Sequence, residues 1–216
     1  SKFESAFELY EFFLSFMLFL VCSIALVMIL PFVEIYTKGV VDTNYIDSIL
    51  PILFTLILLM NQIRIPSLIT INVAGHFKET QWGAIVEALI NISVSLSLFF
   101  FTDLGLYGLL IGTVCSYIFR TTDVILYTHR HLVISSVWVT VKTFLINLFA
   151  MVLIYYMFSI AIPLHSYSIL DWIVKAVVVS LISVLIFCVI NFLFNREKIV
   201  KIISIVISKL KFNKVK

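Results

Sequence analysis

Charge is what this sequence has least of. Only 12% of its 216 residues are Asp, Glu, Lys or Arg, while 62% are hydrophobic. Soluble globular domains carry about 25% charged and about 45–50% apolar residues, so water cannot be the only solvent of this chain. Lipid has to be much of it. Cysteine is sparse as well. Cys22, Cys115 and Cys188 stand far apart within apolar runs, a spacing that fits neither a disulfide framework nor a zinc site and leaves them as small packing residues. A Gly-rich phosphate loop, a metal motif and a nucleophile–base pair are all missing. His76, His129, His131 and His165 fall in loops or at helix ends without ligand spacing. These absences argue against an enzyme, a cofactor and a nucleic-acid partner. No short basic leader marks a cleavable signal peptide. Nothing has solenoid period or the look of a linker, so function has to reside in the membrane or at its surface.

What is present is a series of six apolar segments, each able to cross the ~30 Å hydrocarbon core at about 1.5 Å per residue. They run Phe12–Val33, Leu50–Val73, Gly83–Phe101, Leu106–Tyr127, Phe144–Pro163 and Trp172–Phe194. They lack strict alternation and are about twice too long for barrel strands, so they read as helices. The expected fold is all-α: a polytopic membrane bundle over residues 1–195, followed by a basic tail over 196–216. Loop charge gives the orientation. The loops carrying Glu34, Lys38, Asp42 and Asp47, then Asp103, then His165 and Asp171 hold one Lys among them, whereas the opposite side holds Lys2, Lys78, Arg130, Lys142 and the tail. Both ends are therefore expected in the cytoplasm.

Seven of the fifteen Lys and Arg lie between Arg196 and Lys216. Lys198, Lys201, Ser204, Ser208 and Lys211 share one helical face, with Ile202, Ile203, Val206 and Leu210 opposite. Such a helix would rest on the inner leaflet, with Lys198, Lys201 and Lys211 each gaining ~1 kcal/mol from anionic lipid.

Ionisable residues inside spanning helices cost ~2.5–3.5 kcal/mol on insertion scales, so each needs a reason. In the second span, Asn61-Gln62-Ile63-Arg64-Ile65-Pro66 combines a helix breaker with a cation. Pro66 deprives the Gln62 carbonyl of its helical partner and bends the axis. Arg64 sits ~13 Å from the cytoplasmic end at the helical rise, too deep for easy snorkelling. A broken helix bearing a cation is how transporter sites line cavities. Arg64, Asn61 and Gln62 are thus candidate substrate contacts, against the plainer reading that Arg64 pairs with a carboxylate elsewhere in the bundle. The third and fourth spans carry polar stripes: Ala84, Glu87, Ala88, Asn91 and Ser95, then Gly108, Gly112, Ser116, Arg120, Asp123 and Tyr127. Small residues at 108, 112 and 116 admit a second backbone. The tight turn at Asp103 makes these spans antiparallel neighbours and sets Glu87 and Arg120 at nearly equal depth. An intramembrane ion pair is expected there, with Asp123, one turn on, sharing the Arg120 cation.

The run Arg64-Ile65-Pro66, continued by Ile71-Asn72-Val73-Ala74-Gly75-His76-Phe77-Lys78-Glu79-Thr80-Gln81, resembles the bacterial polysaccharide repeat-unit flippases of the multidrug/oligosaccharidyl-lipid/polysaccharide exporter superfamily. Gly105–Thr113 and Tyr117–Thr121 are also similar to segments of those proteins. Val73 stands where the family often has Ala. The resemblance implies a transporter with two helical lobes around a central cavity, of which this chain supplies the C-terminal one. It implies alternating access that moves an undecaprenyl-diphosphate-linked oligosaccharide from the cytoplasmic to the outer leaflet, with the missing N-terminal half as partner. A chain beginning at Ser1 without Met also reads as a piece of something longer. Competing expectations are a drug exporter of the same superfamily, which calls for acidic rather than basic cavity residues, and a membrane scaffold subunit whose charges serve packing alone.

Overall fold

A computed structural model describes residues 2–40, 45–161 and 168–213. Asp42, Pro163 and His165 lie outside the described residues, as do the side chains of Val206, Ser208, Leu210 and Lys211. Among the described residues eight helices follow one another: α1 (Lys2–Tyr36), α2 (Ile49–Ile63), α3 (Ile65–Ala74), α4 (Phe77–Phe101), α5 (Leu106–His131), α6 (Val137–Ala161), α7 (Ile169–Phe194) and α8 (Arg196–Asn213). With α2 and α3 counted as one crossing, six helices among the described residues are long and apolar enough to span a membrane. The protein is an all-α, multi-pass membrane protein.

Its surface makes the same point. Phe54, Leu89, Phe100, Phe101, Trp138, Phe149, Ile160, Leu181 and Leu193 are each more than half exposed. In water such an apolar belt would drive aggregation, whereas in a bilayer it is solvated.

The helices form two groups on either side of α2. In one group α1 packs along α6 and α7; in the other α4 packs along α5. The α2 helix touches both, lying against α1 and α5. The core sits in the first group, where the fully buried Phe19, Ile154, Val179 and Phe187 join one cluster with Leu59 of α2. Trp172 caps it by donating its indole N–H to the Met28 carbonyl at 3.0 Å. The second group is held by close backbone approach instead. A Cβ added at Gly108 would lie 3.0 Å from the Leu98 Cβ, and one at Gly112 would lie 2.7 Å from the Ser95 backbone nitrogen. Without side chains at 108 and 112, α4 and α5 come close enough for the Ser95 hydroxyl to reach the Leu109 carbonyl at 3.2 Å. Such small-residue contacts replace the hydrophobic drive that lipid removes.

Local chemistry sets the helix ends. Gly75, at φ +76°, closes α3: its N–H reaches the Asn72 carbonyl at 3.1 Å, and the His76 N–H reaches that of Ile71 at 3.1 Å. The left-handed turn suits glycine and reverses the chain into α4. At the opposite end Asp47 accepts the Ile49 N–H at 2.7 Å, and the Tyr107 hydroxyl donates to it as well. Those bonds, the Tyr107 hydroxyl first, hold the Asp47 carboxyl below the usual carboxylate range.

The tail is helical, and Ile199, Ile202 and Ile203 overhang an apolar groove of about 490 Å³ walled by Phe12 and Phe16 of α1 and Phe192 of α7. Lys198 departs from the lipid-facing role expected of it. Its ammonium turns into the bundle and donates to Thr143 Oγ1 at 3.0 Å. The physical reason is the hydroxyl within reach on α6, together with Glu11 on α1, which draws the cation inward. Burial pushes the Lys198 ammonium below the usual lysine range. Lys201 remains exposed.

Candidate intramembrane charge site

Arg64 is the single residue between α2 and α3, and Pro66 opens the first turn of α3. Proline is at home there because its missing N–H would have had no partner. The carbonyls freed by the break are taken up locally. Gln62 O accepts the backbone N–H of Arg64, and Met60 O accepts the Thr121 hydroxyl of α5 at 2.8 Å. That second bond fixes the break against α5. The Gln62 side chain is only partly buried, whereas that of Asn61 turns toward Arg64.

From the break the Arg64 guanidinium reaches across to α4 and α5. Its Nη1 lies 2.7 Å from Glu87 Oε1, its Nη2 donates to Asn61 Oδ1 at 2.8 Å, and its plane sits 4.8 Å from the Tyr117 ring centroid. Among the described residues, its Nε is buried without a hydrogen-bond partner. Glu87 also faces a second cation, with Oε2 3.7 Å from Arg120 Nε. Arg120 in turn holds Asp123 Oδ2 at 2.7 Å. The order is therefore Arg64, Glu87, Arg120, Asp123: alternating charges that sum to zero across α2, α4 and α5. Equal depth in the α4–α5 hairpin predicts the contact of Glu87 with Arg120. The closer partner of Glu87 is Arg64, which comes from a helix that hairpin geometry says nothing about.

Arg64 is ten residues from the end of α3 at Ala74, and Glu87 ten from the start of α4 at Phe77. At about 1.5 Å per residue both are ~15 Å from those helix ends. Glu87 is nevertheless not sealed. With Ala84, Ala88, Asn91, Ile92 and Tyr117 it lines an open groove of about 330 Å³. Asn91 extends the polar floor toward α5, its amide reaching Ser116 Oγ at 3.3 Å and Thr113 Oγ1 at 3.4 Å. A carboxylate open to the surface of a spanning helix is costly against lipid.

Three features escape a reading of the sequence. Gly83 is the first: a Cβ there would run into Arg120 Nη1 and Asp123 Oδ2, so the bare backbone of α4 is the wall against which that pair lies. The second is a ladder of buried amides. Asn195 Nδ2 donates to Asn191 Oδ1 at 3.0 Å, Asn191 Nδ2 to Asn147 Oδ1 at 2.9 Å, and Asn147 Nδ2 to Ser15 Oγ at 3.0 Å. It stitches α7, α6 and α1 together. The i, i+4 spacing of Asn191 and Asn195 was its only signal. The third is Glu11, 6% exposed within α1, to which Thr140 donates at 2.8 Å. The apolar segment that marks this helix in the sequence begins one residue later, at Phe12.

No protein-family model matches the chain, and neither a curated protein nor a solved structure does. Among the described residues no group of His, Cys, Asp and Glu is arranged to hold a metal ion.

Proposed function

We propose that this chain is the C-terminal lobe of a flippase that carries an undecaprenyl-diphosphate-linked oligosaccharide across the cytoplasmic membrane, and that the groove beside Glu87 is part of its path. The observation that carries the reading is a guanidinium within a spanning segment, held by a carboxylate that lines an open groove. Arg64 matches a diphosphate in charge and in the planar geometry of its donors. Glu87 serves as its counter-ion while the path is empty. An arriving diphosphate displaces the carboxylate from Arg64, and Glu87 closes onto Arg120, already 3.7 Å away. Each step keeps every buried charge paired, which avoids the penalty of a lone charge in a low-dielectric setting. Of α4 only Thr80 and Ser95 are buried, which leaves most of its surface open to a facing element. The missing N-terminal lobe would supply the facing wall. The Arg-x-Pro and Gly75 junction resemblance to repeat-unit flippases points the same way.

A specific observation favours a second reading. All four charges are already compensated within the chain, as in a scaffold subunit whose ion pairs serve packing. Cysteine accessibility separates the two. In a variant with Cys22, Cys115 and Cys188 replaced, a Cys at Ala88 should react with a water-soluble thiol reagent. A polyprenyl-diphosphate oligosaccharide should protect it, and an uncharged polyprenol should not. An unreactive Ala88→Cys, or one that no lipid protects, favours the scaffold. In the same background, Cys at Lys78 or Arg130 should label from the cytoplasm and Cys at Lys38 from outside.

A further inference from the structure

Away from the charge site, three residues of three helices make a continuous hydrogen-bonded chain. His129 of α5 has Nδ1 2.8 Å from the Ser135 carbonyl oxygen and Nε2 3.1 Å from Thr140 Oγ1 of α6. Thr140 Oγ1 is in turn 2.8 Å from Glu11 Oε2 of α1. Glu11 and Thr140 are both buried, each 6% exposed.

Counting hydrogens fixes what this chain holds. A carbonyl oxygen only accepts, so His129 Nδ1 carries a hydrogen. The Thr140 hydroxyl has one hydrogen and two neighbours. If it donates to Glu11, then Nε2 must donate to it, and the pair is imidazolium and carboxylate. If it donates to Nε2, then Glu11 must donate to it as the neutral acid. Either arrangement needs one proton beyond those on Nδ1 and the hydroxyl. The two interconvert through Thr140: the Glu11 O–H bond breaks as the hydroxyl oxygen takes that hydrogen, and the hydroxyl gives its own to Nε2. Without the extra proton, one of the two contacts sets acceptor against acceptor in a buried place, and it has to open.

The position of the chain gives that proton a consequence. His129 belongs to the α4–α5 group, while Thr140 and Glu11 belong to the group of α1, α6 and α7. Between α5 and α6 runs a cleft of about 270 Å³ whose walls include Ile118 and Thr121 on one side and Thr140 and Phe144 on the other. The hydrogen-bonded chain crosses that seam at one end. We infer that Glu11, Thr140 and His129 form a binding site for a single proton that ties α5 to α1 and α6, closing the seam when occupied and loosening it when empty. This inference does not depend on what the chain transports.

The charged neighbours are known from each side. Glu8 of α1 and Lys198 of α8 act on Glu11, and Lys142 of α6 and Lys201 of α8 act on Lys198. On α5, Arg130 and His131 follow His129. From α2 the apolar Ile63 lies against Glu11 and Thr140.

Spin labels at Ile118 and Leu145, both about half exposed on α5 and α6, report the seam by dipolar distance measurement on the full chain in lipid nanodiscs. The distance should lengthen as pH rises, along a one-proton curve. T140S keeps the hydroxyl and should keep the curve. E11Q, with an amide of the same shape, and T140V, with no hydroxyl, should both lose it. A wild-type distance that does not respond to pH would overturn the inference. So would an unchanged curve in E11Q, even if T140V fails to fold.

Discussion

Replacing Arg64 by Ala is expected to lower export of the lipid-linked oligosaccharide about 10-fold or more per inserted molecule, because a lost hydrogen bond to a charged group costs about 1.5–3 kcal/mol. Insertion should persist. Glu87 then retains Arg120 at 3.7 Å, so the carboxylate is not left alone. Arg64→Lys should recover part of the activity, since an ammonium still attracts phosphate but lacks the paired, planar donors. Pro66→Ala should be milder than either, because it restores a backbone N–H without removing the cation. If the charges serve packing alone, Arg64→Ala lowers the amount of protein and export falls only in proportion. Surface polysaccharide measured against membrane-inserted protein distinguishes the outcomes. Undiminished export per molecule from Arg64→Ala would end the substrate role of this residue.

The second large effect concerns stability. Glu87→Ala removes the carboxylate placed between two guanidinium groups and is expected to destabilise the bundle, because Arg64 is left without its ion-pair partner. Double-mutant cycles should then rank the contacts. Glu87 with Arg64, at 2.7 Å, should couple more strongly than Glu87 with Arg120, at 3.7 Å, within a range of about 0.5–3 kcal/mol. Arg120 also holds Asp123, so its removal exposes a second deficit that the Glu87 change does not relieve. Steric-trapping or denaturant unfolding in a bilayer mimetic gives these values. Additive effects of Glu87→Ala and Arg64→Ala would mean that the two side chains do not meet in the membrane.

The sequence is legible where the solvent dictates the answer. Lipid imposes apolar runs of spanning length, so the six crossings and their order can be read from residues alone. Helix ends are less legible. The α1 helix begins at Lys2 rather than Phe12, α4 at Phe77 rather than Gly83, and α6 at Val137 rather than Phe144. Hydropathy marks where the bilayer ends, whereas backbone hydrogen bonding continues through polar residues, and Glu11 and Thr140 lie in those extra turns. The site shows the same division. Depth along the α4–α5 hairpin brings Glu87 level with Arg120, but depth gives no azimuth and says nothing of α2. That Arg64 is the nearer partner depends on how α2 packs against α5, fixed by Thr121 and the Met60 carbonyl. Gly83 was invisible for a related reason: a missing side chain acquires meaning only from what lies against it.

The proposal that this chain moves a diphosphate-linked lipid between leaflets is tested most directly by leaflet-resolved assay of that lipid. In cells from which the gene has been removed, the lipid-linked oligosaccharide should be made at the normal rate and accumulate on the cytoplasmic leaflet. The outer leaflet should hold almost none, and the full-length gene should restore it. An unchanged distribution between the leaflets after removal of the gene would contradict the account.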